Sequence, residues 1–223
     1  MERIILIETS TALCSTALAE NGEITSYRES SAPKAHASLN AVFIQEMLDE
    51  RGIALSDCDA VCVSMGPGSY TGLRVGVSTA KGLCFGSGKP LLAVGTLDTL
   101  VAQASSDARF IIPMVDARRM EVYTAVFENG RQMTETAPAI IDENSFAEYL
   151  EQGTCLFIGD GAGKCADVIR HPGASFCQCW PKASSMLAPA LAAYRAGDFK
   201  DVAYFEPFYL KEFVATVSKK KLW

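Results

Sequence analysis

The stretch Ala60-Val61-Cys62-Val63-Ser64-Met65 passes straight into Gly66-Pro67-Gly68-Ser69-Tyr70-Thr71-Gly72, and a helical pattern follows from Leu73 to about Phe85. A short run of this apolar character is how a strand buried in a parallel sheet reads. Strand, glycine loop and helix in succession is the unit from which α/β folds are built. Gly86-Ser87-Gly88 stops the helix, and Leu91 to Val94 gives the next buried strand. Upstream, Ile4 to Ile7 and Ser15 to Ala19 are strand-like, and Asn21-Gly22 before Ile24 to Tyr27 signals a hairpin. Leu39, Val42, Phe43, Met47 and Leu48 recur at helical spacing over about Ala37 to Glu50, with Gly52 placed to end that helix. Thr96 is expected to cap a short helix ending near Ala104.

The run Ser105-Ser106-Asp107 reads as the boundary between two lobes, 1–104 and 105–223. The second lobe opens again with strands, Phe110 to Val115 and Val122 to Phe127, followed by a turn at Asn129-Gly130. A helix near Ser145 to Gln152, a strand at Cys155 to Ile158, the loop Gly159-Asp160-Gly161-Ala162-Gly163 and a helix around Met186 to Ala196 complete it. The expectation is an α/β chain of two related lobes, the last helix packing back on the first.

The chain has 223 residues, and 49% hydrophobic content with 21% charge suits a folded globular protein rather than a disordered one. A formal charge of -6 argues against nucleic-acid binding through the whole surface, because phosphate contacts need clustered Lys and Arg. Lys219-Lys220-Lys221 is the one such cluster. No run approaches the roughly 20 apolar residues of a membrane span, and no basic stretch precedes a long apolar one at the N-terminus. A cytoplasmic location without membrane association is expected. The eight cysteines include core settings such as Cys62 and Cys84 and no CxxC pair, so reduced, structural thiols are expected rather than disulfides or a zinc ribbon.

The glycine loop at Gly66 to Gly72 is where chemistry would sit first. Free N–H groups at a helix N-terminus attract anions. Yet the loop lacks the third glycine of a dinucleotide fingerprint, and no Lys-Ser/Thr pair follows as a P-loop needs. The alternative is a tight turn whose glycines admit positive φ and let the next helix pack closely. Arg74 is then either a solvated first-turn residue or a cation aimed at a phosphate or a partner carboxylate. The second loop, Gly159 to Gly163, fits GxGxxA only nominally. His36 is followed four residues on by Asn40, so no same-face histidine pair exists and no metal site is expected. Ser69 follows Pro67 and breaks the GxSxG elbow. Glu8-Thr9-Ser10-Thr11 joins the first two strands. A carboxylate with hydroxyls there suits a magnesium-bound water, and hydroxyl-rich turns also form for local reasons.

Taken together, Ile5-Leu6-Ile7-Glu8-Thr9-Ser10-Thr11, Lys34-Ala35-His36-Ala37, Gly66-Pro67-Gly68-Ser69-Tyr70-Thr71-Gly72-Leu73-Arg74-Val75-Gly76, Lys81-Gly82-Leu83 and Pro207-Phe208-Tyr209-Leu210-Lys211 resemble the TsaB (YeaZ) family. The resemblance runs along nearly the whole chain and is strongest over residues 1 to 100. It implies an actin-like ATPase fold of the Hsp70/sugar-kinase type, in which the first hairpin turn faces nucleotide phosphates, so that Glu8, Thr9 and Ser10 would be a remnant of a phosphate hairpin. Asp usually stands where this chain has Glu8. It also implies a non-catalytic role in making threonylcarbamoyladenosine beside the anticodon of tRNAs that read codons starting with A. The implied partners are a TsaD-like catalytic subunit, a TsaE-like ATPase, tRNA through the complex, and a second copy of the chain when alone. No nucleotide is expected to bind this chain by itself, with ATP or ADP at a complex interface. Both long helices of the first lobe carry more apolar positions than one buried face needs, and the resemblance makes Leu39, Phe43, Met47, Gly76, Ala80 and Leu83 candidates for the partner face. The rival readings are a small-molecule kinase of the same fold and a metallopeptidase-like protein.

Overall fold

The computed structural model describes residues 2–211; Lys219 to Lys221 lie outside them. In chain order the elements are β1 (Arg3–Glu8), β2 (Cys14–Glu20), β3 (Glu23–Ser30), α1 (Ala35–Arg51), β4 (Ala60–Gly66), α2 (Tyr70–Ser87), β5 (Leu91–Gly95) and α3 (Thr96–Gln103). Then follow β6 (Phe110–Asp116), β7 (Glu121–Thr124), β8 (Phe127–Glu128), β9 (Arg131–Gln132), β10 (Ala137–Ile140), α4 (Ala147–Leu150), β11 (Cys155–Gly159), α5 (Ala162–Cys165), β12 (Ala174–Gln178) and α6 (Leu187–Ala196).

The first sheet has the order β3-β2-β1-β4-β5, its first three strands antiparallel and its last two added in parallel. The second repeats the scheme as β10-β7-β6-β11-β12, with the short β8 and β9 attached beside β6. Period-two alternation explains the first sheet's two cores. Ile5 and Ile7 of β1 meet Ile44 and Met47 of α1 and Val77 and Ala80 of α2 on one face. Ile4 and Leu6 meet Ala190 and Leu187 of α6 on the other. A sheet covered on both sides needs apolar strands throughout, and β2 and β5 are buried at every position. Helix α3 lies between the sheets, sending Leu97 and Leu100 into a cluster with Val115, Phe127 and Ile158. α6 therefore follows the second sheet in sequence and packs on the first, and Lys200 beyond it bridges to Leu91 at the edge strand.

Several expectations are corrected. The single strand expected at Val122 to Phe127 is two: β7 pairs with the end of β6, and β8 pairs with its beginning. The helix expected at Ser145 to Gln152 is the four-residue α4. Gly95 is the N-cap of α3, and Thr96 is its first helical residue with a buried hydroxyl that bonds nothing. The loop at Gly159 closes into α5. Among the described residues no cysteine is disulfide-bonded; six are buried, Cys177 is exposed and Cys179 half-buried. No helix among the described residues is long and apolar enough to cross a membrane.

Candidate functional site

The glycine loop serves the chain's own backbone. Ser69 caps α2, its hydroxyl accepting from the Gly72 amide at 3.3 Å, and its own amide donates to the Ser10 carbonyl at 2.6 Å. The Thr9 hydroxyl donates to the Gly72 carbonyl at 2.9 Å. A Cβ built on Gly68, Gly72 or Gly76 would stand 2.3 Å from Ser10 O, 2.1 Å from Thr9 O and 2.2 Å from Thr9 Oγ1. These glycines let the first turns of α2 sit directly on the β1–β2 turn, the alternative the sequence left open. Gly66 has φ 106° and lies against the Phe208 carbonyl, while the Phe208 amide donates to the Met65 carbonyl at 2.7 Å. The closing segment thereby reaches the loop: Tyr209 packs on Tyr70 with centroids 4.8 Å apart, and Arg74 lies 4.6 Å over the Tyr70 ring. Arg74 is thus an aromatic partner. Thr71 is exposed, beside it on the first turn.

Glu8 faces inward. Its Oε1 accepts from the Ser10 amide at 2.6 Å and the Ser64 hydroxyl at 2.9 Å, and Oε2 is buried without a partner. Burial raises its pKa to about 7, against the lowering effect of the bonds from Ser10 and Ser64. His36 Nε2 is 2.9 Å from the Thr11 carbonyl, and Asn40, one turn on, is buried with no bond to its side chain. No group of three His, Cys, Asp or Glu side chains placed for a metal ion occurs among the described residues.

Between the first hairpin turn and the second sheet lies a cleft of about 630 Å³, closed along one side by residues 208–211. Its far wall holds residues the sequence reading passed over. Asp116 pairs with Lys164, whose ammonium also donates to the Glu121 carbonyl at 2.7 Å. Asp160 Oδ1 accepts from the Asp116 amide at 2.9 Å, and burial raises its pKa to about 6. Arg118 stands at the rim. The available signal was Val115-Asp116-Ala117-Arg118-Arg119, a buried strand ending in charge as β1 ends in Glu8.

The partner-face candidates separate into two sets. Met47 and Ala80 are in the core at 1% and 0% exposure, and Gly76 is pressed against Thr9. None of these three can touch a partner. Leu39, Phe43 and Leu83 are half-buried, whereas Val42 on α1 and Phe85 on α2 are exposed, Phe85 at 88%. Lys81 of α2 donates to the carbonyls of Ala203 and Phe205, placing the exposed Tyr204 beside the same helix.

Residues 28–206 match the family described as TsaD: tRNA N6-adenosine threonylcarbamoyltransferase. The TsaB protein of Escherichia coli (strain K12), a tRNA threonylcarbamoyladenosine biosynthesis protein, is 31% identical over 226 residues and 96% of each chain. Its namesake from Bacillus subtilis (strain 168) is 32% identical over 66% of this chain and 64% of its own. A Pseudomonas aeruginosa crystal structure, described as an uncharacterized protein with similarity to peptidase YEAZ, superposes with a TM-score of 0.84 at 28% identity, covering 95% of this chain and 100% of that one. The activator of the 2-hydroxyisocaproyl-CoA dehydratase from Clostridium difficile superposes at 0.52 with 11% identity over 88% and 96%, a likeness of fold alone. Two sheets of one strand order, with helices on their faces, are in keeping with that actin-like ATPase fold. By its sequence over nearly its full length, this chain belongs to the TsaB (YeaZ) family of tRNA threonylcarbamoyladenosine biosynthesis proteins.

Proposed function

We propose that this chain is a non-catalytic subunit of the machinery that forms threonylcarbamoyladenosine in tRNA, docking on a TsaD-like catalytic partner through the outer face of α1 and α2. The observation that carries this reading is Phe85, an aromatic side chain 88% exposed on α2, with Val42 exposed on the neighbouring α1. Large apolar side chains on adjoining helices of a folded chain mark a surface that another protein covers. The half-buried Leu39, Phe43 and Leu83 supply its margins. A TsaE-like ATPase and tRNA join through the complex, and the same face pairs two copies when the partner is absent. The location is cytoplasmic.

The interior supports a non-catalytic assignment. Glu8 is turned away from the cleft toward Ser64, and the helix carrying His36 offers one imidazole and an amide rather than two imidazoles. A phosphate seated against the glycine loop would need the space that Thr9 and Ser10 occupy. The loop does not fit a nucleotide in this chain alone, and any ATP or ADP is held jointly with the partner.

Phe85→Asp is the test. Phe85 touches little of its own chain, so the thermal midpoint should stay within about 2 °C of the parent. Affinity for the same organism's TsaD-like protein should fall about a hundredfold, as expected when a central aromatic anchor is replaced by a charge. Light scattering after size exclusion would show separate peaks in place of the complex. Full complex formation by the folded variant would sink the docking reading.

A further inference from the structure

The eight cysteines are not placed alike. Six are buried, while Cys177 and Cys179 stand one residue apart where β12 ends. β12 is the outer strand of the second sheet and pairs, among the described residues, with β11 alone. Cys177 lies opposite Ile158 in that register, and Ile158 packs with Cys179 in the cluster around α3. The intervening Gln178 turns to α5, where its Oε1 accepts from the Gly163 amide at 2.6 Å and its Nε2 donates to the Asp160 carbonyl at 2.9 Å. Period-two alternation therefore puts both thiols on the other face of the strand. Cys177 is exposed, Cys179 is half-buried beside it, and the two thiols interact directly.

Two thiols so placed are poorly arranged to bond each other. Side chains two apart on an extended strand are separated by roughly 6.6 Å, whereas a disulfide brings the Cβ atoms to about 3.5–4.5 Å. The strand is not free to shorten. Its ladder with β11 runs from Ala174 to Gln178, the Cys179 amide carries it on to the Gly159 carbonyl at 3.4 Å, and the Gln178 amide group is tied by both its oxygen and its nitrogen. The Cys179 thiol is also a poor nucleophile, since burial, reinforced by the Cys177 thiol, pushes it up to about 12. An ion between the sulfurs asks for less. Two metal–thiolate bonds of about 2.3 Å reach across roughly 4.6 Å, a gap that side chains leaning toward each other leave while the strand stays extended.

We infer that Cys177 and Cys179 form a two-thiolate site for a soft monovalent metal ion of the copper(I) class. Soft thiolate ligands select such ions. No third His, Cys, Asp or Glu side chain joins the pair among the described residues, and a structural zinc ion takes four ligands. Binding takes up one ion and releases the two thiol protons to solvent, with no change of oxidation state. The site goes beyond the docking face and does not depend on it.

The test is an oxygen-free titration of the full-length chain against a chromophoric copper(I) chelate. The parent should withdraw one ion per chain, and the loaded protein should melt at a higher temperature than the metal-free one. Cys177→Ser changes an exposed position, so without metal it should melt within about 2 °C of the parent. Its affinity for the ion should fall about a hundredfold or more, and that of Cys179→Ser likewise. A parent that leaves the ion on the chelate overturns the site. So does a Cys177→Ser protein that takes the ion as tightly as the parent, since the buried thiols would then be holding it. A second measurement treats the metal-free parent with glutathione disulfide. Exchange should stop at a mixed disulfide on Cys177, with one glutathione released. Closure to a Cys177–Cys179 disulfide, releasing a second glutathione, would show that the strand brings the thiols together for each other and would overturn the metal site too.

Discussion

Gly72→Ala is expected to destabilise the chain by about 3 kcal/mol or more and to lower its thermal midpoint by about 6–12 °C. The new Cβ would lie 2.1 Å from the Thr9 carbonyl oxygen, and both sides of that contact are backbone. No rotamer can relieve it. Either the first turn of α2 lifts from the β1–β2 turn, breaking the Thr9 hydroxyl bond to the Gly72 carbonyl, or β1 shifts against its neighbours. The control is Gly82→Ala on the exposed side of the same helix, where a Cβ meets nothing within 4 Å. There alanine's better helix propensity should raise stability by about 0.5–1 kcal/mol. Melting curves of the two variants should move in opposite directions. A Gly72→Ala protein as stable as the parent would show that α2 is not seated on Thr9.

The second large effect is one of pH. The Glu8 carboxyl has an ordinary value of 4.5 and rises to about 7 in the folded chain, because burial penalises its charged form. The folded state therefore holds a proton that the unfolded state gives up between those values. The stabilisation is fully present below about pH 4.5 and is lost as pH rises through 7, on the order of 3 kcal/mol in all. Asp160, also raised by burial, adds a slope of the same sign. The comparison that isolates Glu8 is the parent against Glu8→Gln, with denaturant unfolding measured from pH 5 to pH 8. The parent should lose stability across that window relative to the variant, and Gln should be the more stable of the two at pH 8. A pH-independent difference would mean that Glu8 is ionised throughout.

The first sheet was legible because its signals are redundant. β1, β4 and β5 are apolar runs, Asn21-Gly22 marks the hairpin, and Gly52 and Gly88 end the long helices with φ 63° and 69°. The second sheet was harder, because its outer strands do not read as strands. β12 alternates half-buried and exposed positions and contains Ser175 and Gln178, and β10 carries Pro138 on an outer strand, where a missing amide proton is tolerated. The break at Ala125 and Val126 divides one apolar run between two partners of β6, a matter of pairing that composition does not record.

At the site, the motif was visible but its direction was not. Gly72, Gly76 and Ala80 recur every four residues on α2, and a stripe of small residues permits close approach to whatever lies over it. In this chain the cover is Thr9 and the first core, not a second protein. Phe85, the most exposed large apolar side chain among the described residues, lay in the same apolar stretch, and spacing alone does not say which stripe faces out.

The return of α6 to the first sheet bears on the order in which the protein can be made. Translation delivers β1 to β5 within the first 95 residues, but the side chains that cover Ile4, Leu6, Cys62 and Leu92 arrive only with Ala183, Met186, Leu187 and Ala190. Until then one face of the finished sheet stays wet. The nascent first sheet therefore waits as an open-faced layer until the segment from Ala183 to Ala190 has been made and folds onto it.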